Sequence, residues 1–181
     1  MKLFDLFAKS YALSPEKDAE FFTLVGDLYC TDEVQSMRQY PQHSTTNRLD
    51  HIRAVTYMSF VLSKKLSLDT KAASRAALLH DLVYYDWHDP DYSHRPHGLR
   101  HPRFAAFNAK LLVPSLTKKE ARIILRHMWP LTPLPPSSRE GFLVTFCDKY
   151  CASREMKITK DESVRALFEK KLDEINSEMN K

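Results

Sequence analysis

The spacing of apolar positions along the chain is helical almost throughout. A stripe with helical periodicity runs through the segment from Arg48 to Leu66, comprising Ile52, Val55, Tyr57, Met58, Val61 and Leu62. After Asp69, a predicted N-cap, alanines and leucines continue to about Tyr85, which predicts a helix at the centre of a bundle because alanine lets neighbouring helices approach closely. No convincing pair of alternating segments predicts strands. The pattern therefore predicts an all-α fold, a compact helical bundle.

Start signals delimit the other helices. Each begins with a capping serine or threonine, a proline at the first helical position, or a glutamate three residues after the cap. These signals predict N-terminal helices within 14–40, then helices at 102–112, 118–128 and 138–153, and a C-terminal helix at 160–179. The segments 86–101 and 130–136 are predicted to be loops. We expect the first of them to fold over the functional end of the bundle as a lid.

Length and composition narrow the class of protein. A chain of 181 residues predicts a single domain spanning 1–181, with a core at about 43–155. Three glycines argue against a glycine-rich phosphate loop, and three cysteines favour a reducing cytoplasm over a disulfide framework. No membrane span or signal peptide is predicted. The net charge of +4 suits a small anionic ligand and is too weak to indicate nucleic acid.

Five titratable residues fall on the predicted buried faces of four helices. His51 lies on the stripe of the 48–66 helix, and His80 and Asp81 lie among leucines and alanines. His127 follows Ile124 and Ile123 by three and four positions, and Asp148 follows Thr145 and Val144 by the same spacings. An unpaired carboxylate in a core costs several kcal/mol, and helical bundles build metal sites from inward side chains of this kind. The five residues together predict a buried metal centre.

The ligands divide between two ions. His51, the His80-Asp81 pair and Asp148 supply four ligands for a first ion, which leaves His127 and a histidine near the start of the 102–112 helix. We favour His101 over His97 for that position. With Asp81 bridging, these two imidazoles predict a second ion. Imidazole and carboxylate ligands without cysteine favour two divalent transition metals, iron or manganese first, with zinc, nickel or magnesium as alternatives.

The same residues resemble a known family. His51, the doublet at the end of Ala76-Ala-Leu-Leu-His-Asp81, and the Asp148 of Asp148-Lys-Tyr-Cys-Ala152 resemble the HD superfamily of metal-dependent phosphohydrolases. The further His101 and His127 match the subset of that superfamily that binds two metals. The resemblance implies an all-α domain that hydrolyses a phosphoester or phosphoanhydride bond of a small, nucleotide-like substrate.

The chain departs from two better-known branches. It has no Gly-Tyr-Pro motif of the cyclic-dinucleotide phosphodiesterases. It shares its ligand layout with bacterial symmetrical diadenosine-tetraphosphate hydrolases, but it reads Met128-Trp-Pro-Leu-Thr132 where they usually have Thr-Gly. Two other functions stay open: a non-catalytic HD module that binds a nucleotide or a partner, and a di-iron oxygenase.

Roles for individual residues follow from the hydrolase interpretation. We expect Asp81 to bridge the ions and Asp148 to orient or deprotonate the nucleophilic water. Candidate substrate contacts are Lys149, Arg126, His43, His97 and Trp129. The loop residues His88 and His94 are equally explained as solvated side chains. Cys147 and Cys151 are predicted to be small buried packing residues, and a homodimer is compatible with the sequence.

Overall fold

The computed structural model describes residues 2–43, 46–89, 93 and 95–179, and the regular structure of that part is helical apart from one isolated bridge between Pro41 and Asn47. The all-α prediction is confirmed. The α-helices are α1 (Leu3–Lys9), α2 (Ala19–Tyr29), α3 (Asp32–Gln35), α4 (Arg48–Lys65), α5 (Thr70–Leu79), α6 (His97–Leu112), α7 (Lys118–Arg126), α8 (Arg139–Lys160) and α9 (Glu162–Met179), with a 3₁₀ turn at Ser36–Gln39.

The core is built around α4 and α5. These two helices pack together along their lengths, and α8 lies against both of them. On α5, Ala73, Ala76 and Ala77 are fully buried, so the helices are in close contact as the alanine pattern predicts. α7 packs against both α5 and α6. Hydrogen bonds join the start of α4 to the segment just after α5, and His101 near the start of α6 lies against His127 at the end of α7. No helix in the described part of the chain is long and apolar enough to cross a membrane.

Two N-terminal boundaries differ from the prediction. Helix α2 begins at Ala19 rather than Ser14, because the carboxylate of Asp18 accepts hydrogen bonds from the Ser14 amide and from Lys9 Nζ and holds 14–18 as a turn against α1. Helix α9 begins after Asp161, whose Oδ1 accepts from the Ser163 and Val164 amides. The predicted cap, Thr159, lies instead inside α8.

The helices that carry His80 and His127 end earlier than predicted. α5 stops at Leu79 and α7 at Arg126, so each histidine is the C-cap residue of its helix. His80 Nδ1 lies 2.7 Å from the Ala77 carbonyl oxygen, and His127 Nδ1 lies 2.8 Å from that of Ile124. The last carbonyls of a helix lack backbone partners, and here an imidazole N–H supplies one.

The predicted start of α6 is also wrong. The helix begins at His97, and Pro102, the predicted first residue, lies inside it. His101 consequently sits in the second turn, with its Nδ1 3.0 Å from the His97 carbonyl oxygen. The predicted 86–101 loop is therefore shorter by the first turn of α6.

Candidate metal centre

The structure brings all six predicted ligands together at the side of the bundle where α5, α6 and α7 meet α4 and α8. All six are buried. They are His51 in the first turn of α4, His80 and Asp81 at the end of α5, His101 in α6, His127 at the end of α7 and Asp148 in α8. The N-cap Asn47, whose side chain accepts from the Asp50 amide, fixes the start of α4 and hence the position of His51.

Around Asp148 the ligand atoms have the separations of atoms that share an ion. Asp148 Oδ1 lies 3.3 Å from His51 Nε2 and 3.7 Å from His80 Nε2. Two ligands bound at about 2.1 Å to one ion are about 3.0–3.5 Å apart in tetrahedral or octahedral geometry. The observed distances lie in or just above that range.

Around Asp81 a second group has the same spacing. Asp81 Oδ1 lies 3.1 Å from His101 Nε2 and 3.6 Å from His127 Nε2, and those two nitrogens are 2.9 Å apart. The other carboxylate oxygen, Oδ2, lies 3.6 Å from His80 Nε2. Asp81 therefore faces the His101–His127 pair with one oxygen and His80 with the other.

Each of the four imidazoles is held in place by a contact at Nδ1, the ring nitrogen that faces away from the centre. His80, His101 and His127 each place Nδ1 within 3.0 Å of a backbone carbonyl oxygen, and His51 places Nδ1 2.9 Å from a carboxylate oxygen of Glu155. Because a carbonyl oxygen only accepts, Nδ1 carries the proton, and Nε2 of the neutral ring presents its lone pair to the centre. This is the arrangement in which metal-binding histidines are oriented by their surroundings.

A cation satisfies atoms that the protein alone leaves unsatisfied. The Nε2 lone pairs of neutral His101 and His127 would point at each other across 2.9 Å, which is repulsive without a proton or cation between them. His80 Nε2 and Asp81 Oδ1 are buried and have no hydrogen-bond partner. Such atoms are rare in native proteins and call for an explanation. The buried His/Asp cluster therefore fits a divalent metal.

Electrostatics act differently on the individual ligands. Burial disfavours the charged form of His51 and His80, but the neighbouring carboxylates raise the pKa of both imidazoles above the usual range. Burial, with repulsion from His101 and His80, lowers the pKa of His127 to about 3, so its ring is neutral at neutral pH. Burial opposes ionisation of Asp81 and Asp148, but the surrounding imidazoles hold the pKa of both carboxyls well below their usual range. Two buried anions surrounded by imidazoles make a binding site for a positive ion.

Sequence reasoning missed Glu155. Its side chain is 2% exposed, and both carboxylate oxygens lie within 3.0 Å of His51 Nδ1. Glu155 follows Asp148 by two helical turns on α8, which places both carboxylates on the face toward α4. That spacing was the available signal, but α8 was predicted to end at Ser153.

A pocket of about 310 Å³ opens over the centre. Of the predicted substrate contacts, His43, His97 and Lys149 line it, and Trp87 and Gln42 also contribute to its wall. Lys149 Nζ donates to the His127 carbonyl oxygen at 3.1 Å and lies 3.7 Å from Asp148 Oδ2. The His97 ring stacks on His101 with centroids 4.4 Å apart and on Trp87 with centroids 5.7 Å apart.

Two predicted contacts are directed elsewhere. Arg126 donates to the Pro135 carbonyl oxygen, and Trp129 packs against Phe142 with ring centroids 5.9 Å apart. Neither is among the described residues that line the pocket. His88 is exposed and pairs with Asp86, and His94 lies outside the described residues.

The two cysteines beside Asp148 are buried, as predicted. Burial raises the pKa of the Cys147 thiol to about 12 and that of Cys151 well above its usual range. Cys151 Sγ contacts Met58 Sδ at 3.6 Å. Both thiols therefore stay protonated and serve packing.

Comparison with known proteins identifies the class. The model of the HD domain family matches residues 48–153, which is more than half of the chain and includes all six clustered residues. The chain belongs to the HD domain family, whose members are mostly metal-dependent phosphohydrolases. Comparison with the curated proteins and with the solved structures gives no match.

Proposed function

We propose that this HD protein is a two-metal phosphohydrolase that cleaves a phosphoester or phosphoanhydride bond of a small, nucleotide-like substrate. The observation that carries the proposal is the position of the Asp81 carboxylate, whose two oxygens face different groups of imidazoles. One of its oxygens lies near His101 and His127, and the other lies near His80, which itself approaches Asp148. A carboxylate shared between two groups of imidazoles is the arrangement expected of a bridging ligand.

The ligand sets follow from these distances. His51, His80 and Asp148 would hold one ion with Asp81 Oδ2, and His101 and His127 would hold the other with Asp81 Oδ1. We expect iron or manganese, because the ligands are imidazoles and carboxylates without cysteine. When bound, a pair of such ions supplies a hydroxide at neutral pH and stabilises negative charge on phosphoryl oxygens.

The protein's own groups would bind the substrate and handle the proton. Lys149 Nζ, held at the pocket rim by the His127 carbonyl, is placed to donate to a phosphoryl oxygen. Asp148 lines the pocket and would accept a proton from the attacking water or orient that water. His43 and His97 line the pocket wall and would donate further hydrogen bonds to the phosphate.

The pocket suits a ligand with a flat apolar group. Its volume falls in the range of small-molecule sites, and the stacked rings of Trp87 and His97 form part of its wall. An aromatic ring of the substrate would stack beside them while its phosphate faces the metal centre. A nucleotide has both parts.

A substrate screen tests the proposal. Protein loaded with Mn²⁺ or Fe²⁺ is assayed against phosphodiesters, nucleoside phosphates and dinucleoside polyphosphates, with a chelator-treated sample as control. We expect hydrolysis that is lost on chelation and restored by metal, and a several-fold higher KM in Lys149→Ala. Hydrolysis that survives complete metal removal, or turnover that consumes oxygen instead of water, would contradict the proposal.

A further inference from the structure

Arg48 is a charged side chain almost fully enclosed by the core. It is 1% exposed and lies in the first turn of α4, three residues before His51. Its Nη1 donates to the Val83 carbonyl at 2.6 Å, and Nη1 and Nη2 both lie 3.2 Å from the Tyr85 carbonyl. Burying a guanidinium costs free energy unless its donors are paired. The burial of Arg48 therefore indicates that its hydrogen bonds have a structural role.

The Nε donor of Arg48 leads to the metal centre through Gln42. Arg48 Nε donates to Gln42 Oε1 at 3.0 Å, and Gln42 Nε2 donates to Asp81 Oδ2 at 2.7 Å. Because arginine can only donate, the Gln42 oxygen must face Arg48, and the amide NH₂ must then face Asp81. The arginine therefore fixes the orientation of the amide.

The backbone around Gln42 is also fixed. The Gln42 amide donates to the Thr46 carbonyl, and the Arg48 amide donates to the Tyr40 carbonyl, both at 2.9 Å. The guanidinium of Arg48 lies over the Tyr40 ring at 5.0 Å. These two backbone hydrogen bonds hold the chain on either side of Gln42, whose side chain is itself only 7% exposed.

We propose that Arg48 and Gln42 are positioning residues that lock the carboxylate of Asp81 in the orientation that divides its oxygens between the two ions. The proposal rests on the proposed function, since the division matters when two ions share Asp81. With the amide bonded to Oδ2, Oδ1 is left to face His101 and His127.

The same guanidinium connects the centre to the pocket wall. Val83 and Tyr85, whose carbonyls it binds, follow Asp81 by two and four residues, and the Tyr85 hydroxyl lies 3.1 Å from His97 Nδ1. Arg48 therefore fixes both the bridging carboxylate and the segment that leads to the wall histidine.

Substitution of Gln42 tests the positioning role, with metal binding as the readout. Gln42→Glu keeps the acceptor for Arg48 but presents an oxygen to Asp81 Oδ2, and Gln42→Met removes the donor without adding charge. We expect both to bind Co²⁺ about 10- to 100-fold more weakly than the parent, the usual effect of removing a group that orients a metal ligand. The visible absorption bands of the Co²⁺-loaded protein should also shift, because they report ligand geometry.

Gln35 is the matched control. It is a partly buried glutamine whose Nε2 donates to the Tyr29 carbonyl at 2.6 Å, away from the centre. Gln35→Glu and Gln35→Met should keep the parent's Co²⁺ affinity and spectrum. Thermal unfolding of the metal-free proteins separates positioning from folding, because the Gln42 variants should stay folded and within a few degrees of the Gln35 variants.

The outcomes distinguish the two proposals. If the parent binds no Co²⁺, the proposed function fails and the positioning role fails with it. If the parent binds two ions and both Gln42 variants match its affinity and spectrum, the positioning role is overturned while the proposed function stands. If both Gln42 variants are unfolded without metal while the Gln35 variants are folded, Gln42 is a folding residue and the positioning role is again overturned.

Discussion

Each imidazole of the centre carries its own orienting contact. Three of the four bind a backbone carbonyl three or four residues earlier, and two of those carbonyls belong to the final turns of α5 and α7. Short-range geometry of this kind is set by the local chain and does not depend on distant packing. His51 differs, because its partner Glu155 comes from α8, 104 residues away along the chain.

Replacing Glu155 tests that long-range contact. Glu155→Gln keeps a hydrogen-bond acceptor for His51 Nδ1 but removes the negative charge that makes the imidazole more basic. We expect metal affinity to fall about 10-fold or more, measured by competition with a chromophoric chelator. Glu140→Gln, in the same helix but away from the centre, should leave the affinity unchanged. Equal affinities for the two variants would exclude a role for Glu155 in orienting His51.

Removing His127 tests the assignment of the second ion. His127→Ala deletes one ligand of the His101–His127–Asp81 group, so the bound metal should fall by about one ion per chain. Hydrolysis should fall on the order of a hundredfold, as when one stabilising group of an active site is lost. His88 is an exposed imidazole in the loop, so His88→Ala serves as the control. It should keep the parent's metal content and rate of hydrolysis. Parent-level turnover in His127→Ala would rule out a catalytic second ion.

At the scale of helices, the capping signals located the start of α7 correctly but placed the starts of α2, α6 and α9 wrongly. The Thr117–Glu120 capping box is present as predicted, with Thr117 accepting from the Glu120 amide and Glu120 from that of Thr117. The ends of α5 and α7 depend on histidine side chains that take over helix carbonyls, and apolar periodicity does not report that. Helix α8 continues to Lys160, beyond the predicted end at Ser153, and it packs against α9 and α4.

Glu140 joins three helices at the opposite end of α8 and gives a prediction about acid stability. Its Oε1 accepts from the Asp69 amide at 3.1 Å and from Lys119 Nζ at 3.2 Å. Burial alone would raise the pKa of this carboxyl, but backbone amides and Lys119 lower it to about 2. The folded-state pKa is thus below the ordinary value of about 4.5, so the stabilisation is present above pH 4.5 and is lost as the pH falls toward 2.

Urea unfolding of metal-free protein measures this effect. Glu140→Gln should lower the free energy of unfolding by about 1–2 kcal/mol at pH 7, since it weakens two hydrogen bonds to an ionised group. The difference from the parent should shrink as the pH is lowered from 5 to 2. A constant difference across that range would show that ionisation of Glu140 does not contribute.

For the molecule as a whole, the sequence predicted the clustered residues of the site better than the residues that hold them in position. Five of the six clustered residues were found because titratable groups on apolar helix faces are costly and therefore conspicuous, and His101 was found as a histidine near the start of a predicted helix. Glu155 was missed because α8 was predicted to stop two residues before it. Gln42 and Arg48 were missed because a glutamine in a loop and an arginine at a helix start are ordinary surface residues by pattern, and only the tertiary fold buries them.

Metal should stabilise the whole fold, because the ligands come from five helices and meet only when the chain is folded. At a free metal concentration 100 times Kd, binding contributes about 2.7 kcal/mol. For a domain of this length, the Tm should then rise on the order of 5–10 °C above that of chelated protein, by calorimetry. The shift should be absent from a variant lacking both His51 and His80, and an unchanged Tm in the parent would mean that metal binding is not coupled to the fold.

The metal content of the purified protein tests the two-metal centre most directly. The protein is produced with iron and manganese present, purified without chelator, and its metals are measured per chain by elemental analysis. Six buried ligands with a shared Asp81 predict about two transition-metal ions per chain. A content that never exceeds one ion per chain in protein with all six ligands intact would contradict the two-metal centre.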